Sequence, residues 1–449
     1  MHDRTATSSR LPASVCLGFG VGTVGVSIML NGVTAYFPAF MSTVLGRDAQ
    51  VAGFLLMISK LYDAVADIVI GSLSDRTRSR WGRRRPYLLW GGLISALSFL
   101  AIFAPPALGE RAVDYYMLVA LVLYSTGYSL FNVPYIAMPS EMTSSRYERS
   151  RLLSFRTVFV SIGQLLAMAG TAALISAGGG GAAGYKVMGY TMALVIGGAM
   201  ILSFFGTARA PRLDVQKHEA APHLSRHALR LLVDNRPFCL LAAAKVFQFL
   251  AFASVATTSL LFMLNVLKIG YTGQMLLAIM QNVASALSMP MWLWLERRLG
   301  KRNAYLIGIA IMSATSFSWL TASAGIGNIE LLVRGIAGGV GSGGMILLSV
   351  SMLSDTLAYD RELTGIQREG LLSSVIAVIE KTTFALGVAI VGLALSQARY
   401  LPTINGQIIQ QPASAVTALY LCFAVVPVVL FGGNALCIAF YKLGGRDAG

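Results

Sequence analysis

Long apolar runs, most of them near or above the roughly 20 residues that cross a bilayer, alternate with short polar stretches along nearly the whole chain. They predict membrane-spanning helices near 14–38, 50–73, 87–105, 114–139, 153–177 and 186–207. Six more follow a polar segment, near 237–264, 272–296, 303–323, 329–354, 371–396 and 414–441. The expected organisation is a tail at 1–13, a six-helix bundle at 14–207, a linker at 208–236, a second six-helix bundle at 237–441 and a tail at 442–449. A weak echo relates the halves: SDRTRSRWGRRRP follows the second span and ERRLGKRNAY the eighth.

Parallel six-helix halves of this kind predict an all-α polytopic membrane protein with the twelve-helix major facilitator fold, built as two pseudo-symmetric bundles. Composition agrees. Of 449 residues, 55% are hydrophobic and only 12% charged, with mean hydropathy +0.67, where a soluble domain has about 25% charged residues. The net charge of +15 raises nucleic acid as a partner. The arginines, however, sit at helix ends and in loops with no interleaved aromatic surface, so that partner is excluded.

The basic residues instead set topology. Arg146, Arg149, Arg151, Arg209, Arg212, Arg230, Arg297, Arg298, Lys301 and Arg302 follow even-numbered spans, while SAGGGGAAGYK has one lysine and TASAGIGNIE has no basic residue. Both termini are therefore expected on the cytoplasmic side of a bacterial inner membrane, with no cleaved signal peptide. Cys16, Cys239, Cys422 and Cys437 are isolated in or beside apolar runs and predict neither disulfide nor zinc site. His218, His223 and His227 read as a solvated linker, with metal binding as the alternative. The glycine-rich stretch at 335–344 has no Gly-Lys-Ser/Thr turn and reads as close helix packing. No nucleophile–base set or HExxH motif is visible, so neither an enzyme nor a cofactor is expected.

Ionisable side chains inside spans are costly, and each is a candidate for function. They are Lys60, Asp63, Asp67, Arg156, Lys245, Glu380 and Lys381. Asp63 and Asp67 are the foremost pair: a spacing of four puts both on one helical face, with Lys60 a turn earlier. Directly after them the chain leaves the membrane through six arginines, Arg76, Arg78, Arg80, Arg83, Arg84 and Arg85. Two carboxylates held together in a low dielectric repel unless a cation or proton joins them, which gives a transporter a way to couple ion and solute.

The stretch KLYDAVADIVIGSLSDRTRSRWGRRRPY resembles the signature of the glycoside–pentoside–hexuronide:cation symporters, of the sodium/melibiose transporter type. FNVPYIAMPSEMTSSRYERSRLLSFR, DTLAYDRELTGIQREGLL and EKTTFALG agree in matching order, over about residues 18–400. The resemblance implies that Asp63 and Asp67 ligate the coupling cation. It implies that Lys381 lies close to that site and that Arg156 lies beside the sugar pocket. It also implies that Asp75, Arg76, Arg83, Arg84, Arg85, Asp355, Asp360 and Arg368 belong to the cytoplasmic gate.

The chain departs from that pattern where the sugar contacts fall. Asn132 stands in place of an acid shared by cation and sugar, Gly25 in place of a second acid, and Ile136 and about Ile346 in place of two tryptophans. Asn132 is retained as a cation-site candidate. The polar lining that remains is milder: Thr23, Ser27 and Asn31 in one stripe, then Tyr128, Tyr135, Gln164, Gln248, Gln281 and Asn282, with Lys245 beside them. Glu380 has two readings, a proton carrier that supplies the carboxylate Asn132 lacks, or a structural partner of Arg156 or Lys245. The expectation is a monomeric symporter driven by Na⁺ or H⁺ and carrying a small organic solute of the sugar or glycoside class. A less polar or amphiphilic solute, a receptor that binds without transport, and a membrane-embedded enzyme are the alternatives.

Overall fold

The computed structural model describes residues 10–143, 145–211, 235–364, 369–407 and 409–442. Helices account for almost all of them, and ten of those helices are long and apolar enough to cross a membrane. In chain order the elements are α1 (Ala13–Thr43), α2 (Ala49–Arg76), α3 (Arg85–Phe103), α4 (Glu110–Met142) and α5 (Arg146–Leu165). A π-turn at Leu166–Gly170 carries the α5 axis on into Thr171–Ala177. Then come α6 (Gly181–Gly206), α7 (Arg236–Asn265), α8 (Gly270–Ser318), α9 (Asn328–Thr364), α10 (Glu369–Gln397) and α11 (Ala413–Tyr420). A second π-turn, Leu421–Val425, leads from α11 into Val426–Ala439.

Local sequence explains where several of these begin. Ser145 caps α5 by accepting from the Glu148 amide, the serine–glutamate spacing of a capping box. Asn235 caps α7 by accepting from the Phe238 amide at 3.1 Å, with Pro237 in the first turn where its missing N–H costs nothing. The π-turns free backbone carbonyls, and Ser254 of α7 donates to one of them, the Cys422 oxygen.

The sequence predicts spans at 272–296 and 303–323, and within α8 two helices, 270–299 and 301–318, meet at a kink. The helical path breaks only at Gly300, with φ 79° and ψ 158°, a backbone state that glycine reaches without strain. ERRLGKRNAY reads as a loop by charge, yet its residues keep helical geometry on both sides of that glycine.

The chain packs as two compact units. Unit 1 comprises Met1–Val33 and Tyr62–Lys217, and unit 2 comprises Thr34–Leu61 and His218–Gly449. The packing boundary therefore runs through the first helical hairpin. Backbone hydrogen bonding explains why the hairpin tip joins unit 2. The carbonyls of Ser42 and Thr43 at the end of α1 and of Val44 just past it, which lack intrahelical donors, accept from the amides of Thr403, Gly406 and Asn405 at 2.7, 2.8 and 2.9 Å. Ser396 donates to Asp48 at 3.0 Å beside them.

Within unit 2 the glycine-rich stretch does what small residues do in membranes and lets helices close up. A Cβ at Gly339 would overlap the Gln281 carbonyl, and one at Gly344 would overlap the Trp292 ring. Trp292 is fully buried, and its indole N–H donates to Val340 O at 2.9 Å.

Candidate functional site

Asp63 and Asp67 sit in the middle of α2, one turn apart, as their spacing predicts. Asp63 is 3% exposed and its Oδ1 accepts from Ser129 Oγ at 2.9 Å. Asp67 is half-buried. Facing α2, α4 supplies Tyr128, Ser129 and Asn132 within four residues, on one helical stripe. Asn132 donates its amide to Tyr128 Oη at 3.3 Å, while its Oδ1 is buried with no hydrogen-bond donor. From α5 comes Arg156, whose Nε is buried with no acceptor.

These groups suit a small hard cation. The oxygens on offer are carboxylate, amide and hydroxyl, the donor set of alkali and other hard ions. Asp63 and Asp67 bring two like charges into α2, with Lys60 one turn before them and Arg156 on α5, and the Asn132 carbonyl is a buried acceptor without a donor. Among the described residues no three His, Cys, Asp or Glu side chains converge as a metal cluster, so nothing there resembles a transition-metal centre.

Other polar groups singled out in the N-terminal half are engaged within unit 1. Thr23 Oγ1 lies 2.7 Å from Tyr135 Oη, Tyr135 donates to Phe19 O, and both Thr23 and Tyr135 are buried. Asn31 donates to Ser27 O at 3.0 Å, and Ser27 is 5% exposed. Gln164 is half-buried on α5. Gly25 packs against Met200 and the Ile196 carbonyl, whereas Ile136 is 53% exposed on α4.

The arginine-rich turn closes on acids of its own unit. Arg84 pairs with Asp75 at 2.8 Å and with Glu141, and Arg83 reaches Glu141 at 2.8 Å. Arg85 donates to Phe204 O at 2.7 Å and lies 4.5 Å over that ring, while Arg76 is exposed. Glu141 is the residue sequence reasoning passed over. Its partners lie 57 and 58 residues away, so no local spacing marks it. In unit 2, Asp355 takes Lys301 at 2.6 Å and Asp360 accepts from the buried Asn235 at 2.7 Å. Arg368, His218, His223 and His227 lie outside the described residues.

Unit 2 has its own intramembrane charges. Lys245 of α7 is 5% exposed and pairs with Glu380 of α10 at 2.8 Å, donates to Ser349 of α9 at 3.0 Å, and lies 5.6 Å from the Phe249 ring centre. Of the two readings of Glu380, the pair with Lys245 is the contact observed. One turn beyond Lys245, Gln248 accepts from Tyr305 at 3.1 Å, and Asn434 donates to the same phenol at 3.4 Å. Lys381 and Lys60 are half-buried on α10 and α2.

A multi-pass bundle of apolar helices with paired acids and orphaned polar atoms inside it defines a membrane carrier. Residues 18–445 match the profile described as MFS/sugar transport protein, and the chain belongs to that family. Membership of that family makes it a solute transporter. An uncharacterized symporter of Synechocystis sp. is 25% identical, the alignment covering 98% of this chain and 96% of that one. The isoprimeverose transporter of Lactiplantibacillus pentosus is 24% identical, covering 98% and 93%. Among solved structures, the nucleoside transporter NupG superposes with TM-score 0.61 at 15% identity, covering 95% of this chain and all of that one. That last likeness concerns the fold alone.

Proposed function

We propose that the chain couples the movement of a monovalent cation, Na⁺ or H⁺, to that of a sugar or glycoside by alternating access. The observation that carries this reading is the unit 1 set: Asp63 and Asp67 on one face of α2, with the donorless Asn132 oxygen beside them. Two carboxylates held one turn apart in low dielectric repel each other, and a bound cation relieves that repulsion. The loaded and empty states thus differ in charge, and that difference biases which face opens. Arg156 and Tyr128 sit where a solute hydroxyl can sense the occupancy of the ion site. Lys381 and the residues Tyr135, Gln164, Ser27, Asn31 and Gln248 are secondary candidates for the solute path.

The topology proposed is twelve spans, with α2 added to the ten apolar helices and α8 crossing twice about Gly300. Both termini lie on the cytoplasmic side of the inner membrane, as the arginine-rich turns direct. The chain works as a monomer with lipid, solute and ion as its partners and binds no nucleic acid. The sugar class is supported by family membership and by the printed name of the L. pentosus relative.

Reconstitution tests the reading. Liposomes containing the purified chain should show counterflow of labelled isoprimeverose, and uphill accumulation when a Na⁺ or pH gradient is imposed. Saturable binding without counterflow would make the protein a receptor instead. Counterflow that no ion gradient can drive uphill would remove the coupling.

A further inference from the structure

The Lys245–Glu380 pair is built unlike a mere ballast of charges. It joins three helices, α7, α9 and α10, at one point inside the membrane, and its two ends differ in access. The lysine side chain is 6% exposed and the glutamate side chain 28%. Lys245 is enclosed. An ammonium has three N–H donors; one goes to Glu380 Oε1 and one to Ser349 Oγ, and the Phe249 ring lies 5.6 Å from the nitrogen. Ser349 in turn donates to Ile346 O at 3.2 Å, so its hydroxyl orientation is fixed and its lone pairs face the lysine.

Glu380 is held by one of its oxygens. An ionised carboxylate offers about four acceptor sites and no donor, and the salt bridge occupies only part of that capacity. The accessible part cannot face hydrocarbon, because a charged carboxylate presented to lipid is strongly disfavoured; such groups face the bundle interior or water. The flank of α10 that carries Glu380 also carries Gly387, which packs on Ala253 and Leu250 of α7. Its lipid-type residues, Leu386 and Ile390, are exposed on a different flank. In a carrier, a water-facing acceptor at this depth lies on the path of the solute.

From this we infer that Glu380 is a solute-binding residue, reading hydroxyl donors of a neutral polyol or sugar, with Lys245 as its positioning residue. The inference rests on the symport reading above and narrows its solute class. The pair as a whole carries no net charge, and its cation is enclosed. It therefore offers nothing to an anionic headgroup, and the fixed carboxylate oxygen repels one. Solutes bearing a carboxylate or sulfonate are disfavoured at this point relative to their neutral counterparts.

The test uses the full chain in lipid nanodiscs, with isoprimeverose, D-glucose and D-glucuronate as probes read by calorimetry. Glucose and glucuronate differ by a hydroxymethyl against a carboxylate. Wild type should bind the neutral probes, with glucuronate weaker than glucose by about tenfold or more, the effect of one unfavourable charged contact. Glu380→Gln should weaken the neutral probes by about tenfold on the same grounds.

The decisive variant is the exchange Lys245→Glu with Glu380→Lys. It keeps a buried pair, so the melting temperature should return close to wild type, but it presents a donor instead of an acceptor. Affinity for the neutral probes should stay low and the preference should turn towards glucuronate. An exchanged protein that binds neutral probes like wild type would reduce the pair to a structural one. So would Glu380→Gln with unchanged affinity, or Glu380→Asp should the glutamine variant not fold. Should wild type bind none of the neutral probes, the sugar reading falls and this inference with it. Wild-type binding that no variant alters overturns the inference alone.

Discussion

Two sets of intramembrane charge, one in each unit, solve opposite problems. In unit 2, Lys245 and Glu380 answer each other directly, with Ser349 completing the lysine's shell. In unit 1 the acids are alike in sign, Asn132 holds a buried oxygen without a donor, and Arg156 a buried N–H without an acceptor. A closed pair keeps its charge balance in every state of the protein, whereas an unbalanced set changes energy whenever an ion arrives or leaves. A coupling site needs the second property. The contrast teaches that opposite charges closed on each other do not mark ion coupling, whereas two like-charged acids one turn apart mark a candidate for it.

The largest expected effect is on accumulation. A membrane potential of 100 mV is worth about 2.3 kcal/mol per charge, enough to sustain a gradient of about 50-fold for a one-cation symporter. Asp63→Asn or Asp67→Asn should reduce the accumulation ratio to about 1 while counterflow survives, since exchange needs the solute path and no net ion movement. Glu380→Gln, by contrast, should keep the wild-type ratio at saturating solute. Loss of accumulation in Glu380→Gln with retention in Asp63→Asn would exchange the two roles.

Stability should sort the sets the other way. Lys245→Met strands a carboxylate inside the membrane, and breaking such a pair costs about 3–5 kcal/mol. Replacing both partners, Lys245→Met with Glu380→Leu, should recover most of that, as read by thermal unfolding in detergent. Asp63→Asn should leave the melting temperature equal or slightly raised, because it relieves like-charge repulsion. A large fall there would mean that the unit 1 acids are a structural pair too.

A smaller change is expected at Asn132. Asn132→Ala removes the donorless oxygen and should weaken cation activation of transport by about tenfold, in the range of one lost charge-assisted contact. Smallest of all, Glu141→Gln loosens Arg83 and Arg84 at a partly exposed surface and should cost only about 1 kcal/mol of unfolding stability, with the accumulation ratio intact.

Much of this was legible in the chain. Apolar run length marked the helices because a bilayer fixes that length, and the i, i+4 spacing of Asp63 and Asp67 marked the acid pair because helical geometry fixes that face. What distant partners decide was not legible. Glu380 could be assigned to either Arg156 or Lys245 from composition alone, and only folding brought Lys245 within 2.8 Å. Thr23, Ser27 and Asn31 form a polar stripe by spacing, yet Thr23 meets Tyr135 and Asn31 returns to the Ser27 carbonyl, which no periodicity distinguishes from a solute-facing stripe. The break within α8 was legible by contrast: charge placed the expected turn at 296–302, and the backbone leaves helical geometry at Gly300.

The most direct test of the unit 1 site needs no solute. A hydrophobic carbodiimide reacts with protonated carboxyls inside membranes, and peptide mapping after labelling reports which acid reacted and how fast. The account predicts labelling at Asp63 or Asp67 that is slowed by millimolar Na⁺ or, for a proton-coupled carrier, falls steeply as pH rises with Na⁺ having no effect. Glu380, closed on Lys245, should remain unlabelled in both cases. Labelling of Asp63 and Asp67 that responds neither to Na⁺ nor to pH, or ion-sensitive labelling at Glu380 in their place, would contradict it.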